Sequence, residues 1–289
     1  MTKLRVVVLA CALVVVVAGC ARPGAGGAAP ADVASSASGD ELVLRVAYTG
    51  GFTSPTELAT RVPVLSVYGD GRVVTAGPQI DIYPARTLPN VLVQHISRAD
   101  VDKLVRLALA AGVGTAADFG QPSIMDAAST SFTVLTGSGR KTTEVYALSE
   151  TDGDISGVNQ AQRAARAKLA KLFAELTDLP KTLGAGALDE AKPFTYTALA
   201  AVSFPWQGNG EATDNQPELA WPGPALPGDP IGGPEVGCVT AAGDALGKVL
   251  DAAKKANAAT PWTSGGKRWM VAVRPLLPDE SGCADLPAR

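Results

Sequence analysis

Two glycine-bracketed turns constrain this chain more than any other feature. Leu65 and Val67, then Val73 and Val74, flank Gly69-Asp70-Gly71-Arg72, while Phe132 and Val134, then Val145 and Ala147, flank Gly137-Ser138-Gly139-Arg140. Apolar runs of period two on either side of a glycine turn predict antiparallel hairpins, because so tight a turn joins only neighbours that run in opposite directions. Each hairpin is followed by a helical pattern. Ser97 with Asp100 reads as an N-cap ahead of Val101, Leu104, Val105 and Ala108, with Gly112 at the stop; Ala161, Ala165, Leu169, Leu172, Phe173 and Leu176 form a second stripe halted by Pro180. Leu42, Leu44 and Val46 alternate as a further strand. Strand pairs closed by turns rather than long crossovers predict an α+β fold for residues 41–180, with antiparallel sheets built from hairpins and about three amphipathic helices packed on one face. The similar turn texts are what hairpin physics selects, so they are weak evidence for a duplicated unit.

Residues 181–289 differ in texture. Thr195 to Phe204 reads as a strand, residues 205–234 as a long Pro- and Gly-rich loop carrying Trp206 and Trp221, and Val239, Ala242, Leu246, Val249, Leu250 and Ala253 as a third helix. Trp269, Val271 and Val273 close the region as a strand. This half is expected either to form a second domain or to complete the first.

At the other end, Lys3 and Arg5 precede an apolar stretch from Val6 to Ala18, shorter than the roughly 20 residues a membrane-crossing helix needs. That is the layout of an export signal. The residues closing it, Val17, Ala18, Gly19 and Cys20, resemble the lipobox of bacterial lipoproteins. The resemblance implies a signal peptide over residues 1–19, a lipid-bearing Cys20 as mature N-terminus, and a partner in the bilayer, with the protein anchored at the extracytoplasmic face of the cell membrane. A diacylglyceryl group, with a palmitate beside it, supplies more than the single chain that binds a membrane only marginally. The alternative is an ordinary secreted protein with Cys20 free. Residues 20–40, nearly all Ala, Gly, Ser and Pro, then read as a tether, since they bury too little apolar surface to offset the entropy of ordering. In that compartment Cys11 leaves with the signal and Cys20 carries lipid, so Cys238 and Cys283 are expected to pair as a disulfide.

Composition narrows the function. Loss of Lys3 and Arg5 with the signal takes the formal charge from −3 to −5, and an acidic chain without clustered Lys and Arg has no electrostatic footprint for nucleic acid. With His95 as the single histidine, a typical zinc-hydrolase site lacks its ligands. Ser138-x-x-Lys141 and Ser264-x-x-Lys267 match the letters of the serine acyltransferase motif but lie in glycine-rich turns rather than at a helix start. Asp152, Asp154, Ser156 and Gly157 follow the first half of a calcium loop, yet Arg163 stands where the closing glutamate belongs, so they form a weak calcium candidate, and no cofactor is expected. Trp206 and Trp221 fit either a partner-gripping loop or apolar anchors that hold the loop to the body. The run Arg274-Pro275-Leu276-Leu277-Pro278-Asp279-Glu280 is equally open, since proline-rich strand ends are often simple exits.

The Ala-, Gly-, Pro- and Val-rich composition, Gly50-Gly51-Phe52, the Tyr68 to Val73 turn and the Arg274 to Glu280 run resemble the uncharacterised lipoproteins of high-GC actinobacteria. Over residues 41–180, Gly50-Gly51-Phe52 with the following helix, Asp126, hairpin and second helix is similar to emfourin-like inhibitors of secreted metalloproteases, which implies an inhibitory role but supplies no inhibitory residue. Two classes compete: an anchored, non-catalytic binding module for an envelope protein or glycan, and an envelope hydrolase whose site the sequence does not display. The missing catalytic groupings favour the first.

Overall fold

The computed structural model describes residues 37–150, 156–208, 215–233 and 235–287. The chain enters beside the first predicted turn. Ala37 is buried, the Gly69 N–H donates to the Glu41 carbonyl, and a Cβ on Gly69 would lie 2.2 Å from the Ser38 carbonyl, so only glycine admits the entering backbone there.

Seven strands form the first sheet, in the order β6-β5-β1-β2-β3-β4-β7. They are β1 (Leu42–Gly50), β2 (Leu65–Tyr68), β3 (Arg72–Ala76), β4 (Val91–His95), β5 (Ala128–Thr136), β6 (Gly139–Tyr146) and β7 (Lys192–Pro193), every pair antiparallel. Both expected hairpins are present as β2–β3 and β5–β6, and β1 lies between them. Gly71 closes the first turn at φ +91°, and a side chain there would meet the Ile96 carbonyl at 2.3 Å. A register shift between Leu42 and Leu44 turns both Val43 and Leu44 into the main core.

Helices α2 (Arg98–Ala111) and α3 (Gln160–Thr177) cover one face of this sheet. The stripe Val101, Leu104, Val105 and Ala108 is buried as its spacing requires, the Ser97 hydroxyl accepts from the Asp100 N–H, and Gly112 ends α2 in the left-handed region. Asn159 and Gln162 form a reciprocal capping box at the start of α3. Helix α3 ends at Thr177, and Pro180 belongs to the first turn of a short α4 (Leu179–Leu183) instead of merely stopping its predecessor. Arg166, on the buried side of α3, is 2% exposed and has no carboxylate partner among the described residues. Its guanidinium donates to the carbonyls of Phe119, Tyr146 and Ala147, tying α3 to the end of β6, and burial holds its pKa below the ordinary value.

The second sheet runs β10-β11-β8-β13-β12-β9, from β8 (Ala198–Pro205), β9 (Leu219–Ala220), β10 (Asp229–Pro230), β11 (Gly237–Ala242), β12 (Trp262–Ser264) and β13 (Lys267–Pro275). Its pairs are antiparallel except β9 on β12. Here one expectation is corrected. Val239 and Ala242 lie on strand β11, and the helix, α5, begins only at Asp244 and ends at Ala253, because Gly243 at φ +54° breaks the pattern between them. Helix α5 packs Leu246, Val249 and Leu250 on one face of the sheet with Leu199, Ala201, Val271 and Val273.

Short helix α1 (Pro55–Thr60) and the segment after β13 fill the space between the two sheets. Ala59 of α1 and Leu276 meet Ala200 and Val202 of the second sheet, whereas Leu277 packs with Leu42, Tyr68, Val74 and Val91 of the first. Cys238 on β11 is disulfide-bonded to Cys283 with 5.9 Å between Cα atoms, which ties the segment to the second sheet.

Candidate functional site

Residues singled out from the sequence do not converge. Cys20, Asp152 and Asp154 lie outside the described residues. The Ser156 carbonyl accepts from the Ser123 N–H, which gives it a role in loop packing, and no group of three or more His, Cys, Asp and Glu able to hold a metal exists among the described residues. Trp221 is buried edge-on against Trp262, centroids 5.4 Å apart, and its indole N–H donates to the Pro224 carbonyl. It is a core anchor, correcting its candidacy for partner binding. Trp206 is half-buried, its backbone N–H bonded to the Arg268 carbonyl. His95 is exposed at the end of β4 and faces Asp189, Nδ1 to Oδ2 3.3 Å; the His95 backbone N–H, with the imidazole behind it, holds the Asp189 carboxyl below its usual range. Ser138 sits in the turn between β5 and β6, whereas Ser264 is the last residue of β12, paired with Lys267 across the Gly265-Gly266 turn.

The Arg274 to Glu280 run is internal. Arg274 is 1% exposed and pairs with Glu280 at 2.6 Å, while Arg45 on β1 pairs with Asp279 at 2.8 Å and donates to Tyr68 and Ser66. Burial opposes the Arg45 charge, yet Asp279 with Tyr68 and Glu280 holds its pKa above the ordinary value. Tyr68 donates to Asp279 and is fully buried, which pushes its pKa up. This cluster joins the sheets and is largely buried, with 18% of the Arg45 and 10% of the Asp279 side chain left exposed.

The open chemistry lies elsewhere. Among the described residues the exposed large apolar side chains are Phe52 (88%), Met125 (85%), Tyr83 (80%), Ile80 (60%) and Ile82 (48%). All leave one end of the first sheet. Phe52 follows the end of β1 and Met125 precedes β5, in the register that pairs Gly50 with Ala128; the loop 77–90 joins β3 to β4 beyond the pairing of Ala76 with Val91. The chain enters at the opposite end, where Leu42 pairs with Tyr68.

These tips are built rather than loose. Phe52 donates its N–H to the Asp126 carbonyl at 3.0 Å, Gly50 and Gly51 take positive φ, and a Cβ on Gly51 would touch Ala128 at 3.2 Å. Thr53 bonds Glu57, and Ser54 caps α1. The loop 77–90 is pinned by Gly77 to Asn90, by Tyr196 to the Pro89 carbonyl and by Ala258 to the Ala85 carbonyl. Between this loop and the C-terminal end of α5 lies an open cleft of about 660 Å³, lined by Gln79, Ile80, Arg86, Leu88 and Lys254 among others. In the sequence the signal for these tips is faint: Gly50-Gly51-Phe52 is a short glycine turn, and Ile80-Asp81-Ile82-Tyr83 is an apolar run framed by prolines at positions 78 and 84, with too few residues for a strand beside β3.

The fold is thus α+β with antiparallel sheets, and among the described residues its exposed large apolar side chains gather on hydrogen-bonded loop tips at one end of the first sheet. No protein-family model, no curated protein and no solved structure matches the chain.

Proposed function

We propose that this chain is a non-catalytic recognition module of the bacterial envelope, held at the extracytoplasmic face of the membrane by lipid on Cys20, and that it engages its partner through the loop tips bearing Phe52, Met125 and Ile80 to Tyr83. One observation carries the reading: the exposed large apolar side chains share one end of the first sheet, on loops fixed by backbone hydrogen bonds. Soluble surfaces rarely gather such residues without a binding use, and loops already held in place lose little entropy on association. The anchor rests on the lipobox resemblance and on the short apolar segment before it.

A photoreactive phenylalanine analogue placed at position 52, in the full chain expressed in an actinobacterial host, is expected to yield a discrete adduct on irradiation. The same group at position 190, near the opposite end, is expected to yield none. Equal adducts at both positions, or none at position 52, would sink the recognition reading. Radiolabelled palmitate is expected in the wild-type protein and absent from Cys20→Ser; label retained in that variant removes the anchor.

A second reading, inhibition of a secreted metalloprotease, is favoured by Phe52 standing 88% exposed on a braced loop within the region that resembles emfourin-like inhibitors. A thermolysin-type protease left fully active by excess protein removes it.

A further inference from the structure

We propose that the surface these tips recognise belongs to a protein segment in which apolar and basic side chains alternate. The proposal rests on the recognition reading and adds the chemistry of the partner. Each tip places a carboxylate among its apolar groups: Asp126 adjoins Met125, and its own carbonyl fixes Phe52, while Asp81 stands between Ile80 and Ile82. Both carboxylates are exposed, and neither has an ion pair among the described residues. Positions 51–54, 80–85 and 121–127 contain no Lys or Arg. Of the nearest basic residues in the chain, Arg61 donates to the Gly50 carbonyl and pairs with Glu57, and Arg86, though exposed, stands at the base of the loop on the side of the cleft.

Two other occupants fit less well. An anionic bilayer meets carboxylates at the tips, and the tips lie at the far end of the sheet from the entering chain. A second copy meeting tip to tip would set Asp81 and Asp126 against their own like charges, which disfavours association. A basic and apolar segment satisfies both features of each tip: apolar burial supplies affinity, and Lys or Arg opposite the carboxylates supplies orientation and a salt-dependent approach.

The test uses the full chain in detergent and two fluorescent peptides of one Leu/Ala pattern, one with Lys and one with Glu at the polar positions, read by anisotropy. The Lys peptide is expected to bind saturably and the Glu peptide not to bind. Asp81→Asn with Asp126→Asn is expected to weaken the Lys peptide by about five- to tenfold and flatten its salt dependence, as rim charges do. Phe52→Ser with Met125→Ser is expected to weaken it at least as much. The control Glu190→Gln with Glu235→Gln makes the same change of net charge away from the tips and is expected to leave affinity unchanged. Equal binding of both peptides, or equal loss in the control pair, overturns the charge assignment while the adduct at position 52 still stands for the recognition surface; loss of that adduct overturns both. Tip-dependent sedimentation with phosphatidylglycerol vesicles, or tip-dependent self-association, overturns the proposal in favour of a bilayer or a second copy.

Discussion

Tyr68 shows how a single residue couples burial to pH. Its ring is fully buried, its hydroxyl donates to Asp279 at 2.9 Å, and Arg45 donates to it in turn. Burial, opposed by Arg45 and reinforced by Asp279, raises the folded phenol's pKa above that of the unfolded chain, which ionises at about 10. Below that pH both states keep the proton and the contribution of Tyr68 is complete. As pH rises above it the unfolded chain releases its proton first, so stability falls. Urea midpoints of the wild type should therefore drop from about pH 10 upward, whereas Tyr68→Phe should start about 1–2 kcal/mol lower at neutral pH and show a shallower alkaline decline. Parallel declines in the two proteins would place the effect on other tyrosines, such as Tyr196, whose pKa burial also raises. None of this is legible in the sequence, where Tyr68 reads as the last residue before a turn. Its partner Asp279 lies 211 positions away, and local pattern carries no information at that separation. Arg166 was hidden differently: a charged residue reads as a solvent-facing position, and only the meeting of its guanidinium with carbonyls of Phe119, Tyr146 and Ala147 makes the buried site tolerable.

Elements were readable where period and punctuation agreed. Helix α2 has its cap, stripe and glycine stop within one local stretch, and both hairpins have turns that admit few alternatives. The third helix is present over Asp244–Ala253 but starts later than its pattern suggests, because Val239 and Ala242 fit either period in so short a run; pairing with β8 makes them strand, with Val239 and Ala241 facing α5 and Cys238 facing the opposite side. The long loop of residues 205–234 was expected to be irregular. It contributes two-residue strands to both edges of the second sheet and sinks Trp221 into its core; β10 pairs with its neighbour β11, but β9 and Trp221 depend on β12 far along the chain. At α3 the local account makes its own prediction. The Asn159 side chain accepts from the Gln162 N–H, and the Gln162 side chain accepts from the Asn159 N–H while donating to Asp118. Asn159→Ala should cost about 1 kcal/mol in chemical denaturation, and Asn159→Ser should recover most of it. An unchanged midpoint for Asn159→Ala would mean that packing alone sets the start of the helix.

At the scale of the whole molecule the two sheets are joined by the segment after β13, which touches both. Leu276 donates its N–H to the Ala198 carbonyl of the second sheet, Leu277 enters the apolar cluster of the first, and Asp279 takes Arg45 and Tyr68. Glu280 turns back to the buried Arg274 and accepts from the Leu277 N–H. The disulfide then fixes the end of this segment to β11. With 45 positions between Cys238 and Cys283, the chain-entropy treatment gives the crosslink about 4 kcal/mol. Its loss should not be felt evenly. Cys238→Ser with Cys283→Ser should lower stability by roughly that amount, and hydrogen exchange should accelerate first at residues 276–287 and at β1 and β2 beneath Leu277, while α2 and α3 keep their protection on the far face of the first sheet. Arg45→Met leaves Asp279 nearly buried without its cation and should open the same segment with the disulfide intact. Combining Arg45→Met with the cysteine pair should then cost less than the sum of the two, because both act on one strap. Strict additivity, with exchange rising uniformly over both sheets, would show that the strap does not couple them and that each sheet is held by its own core.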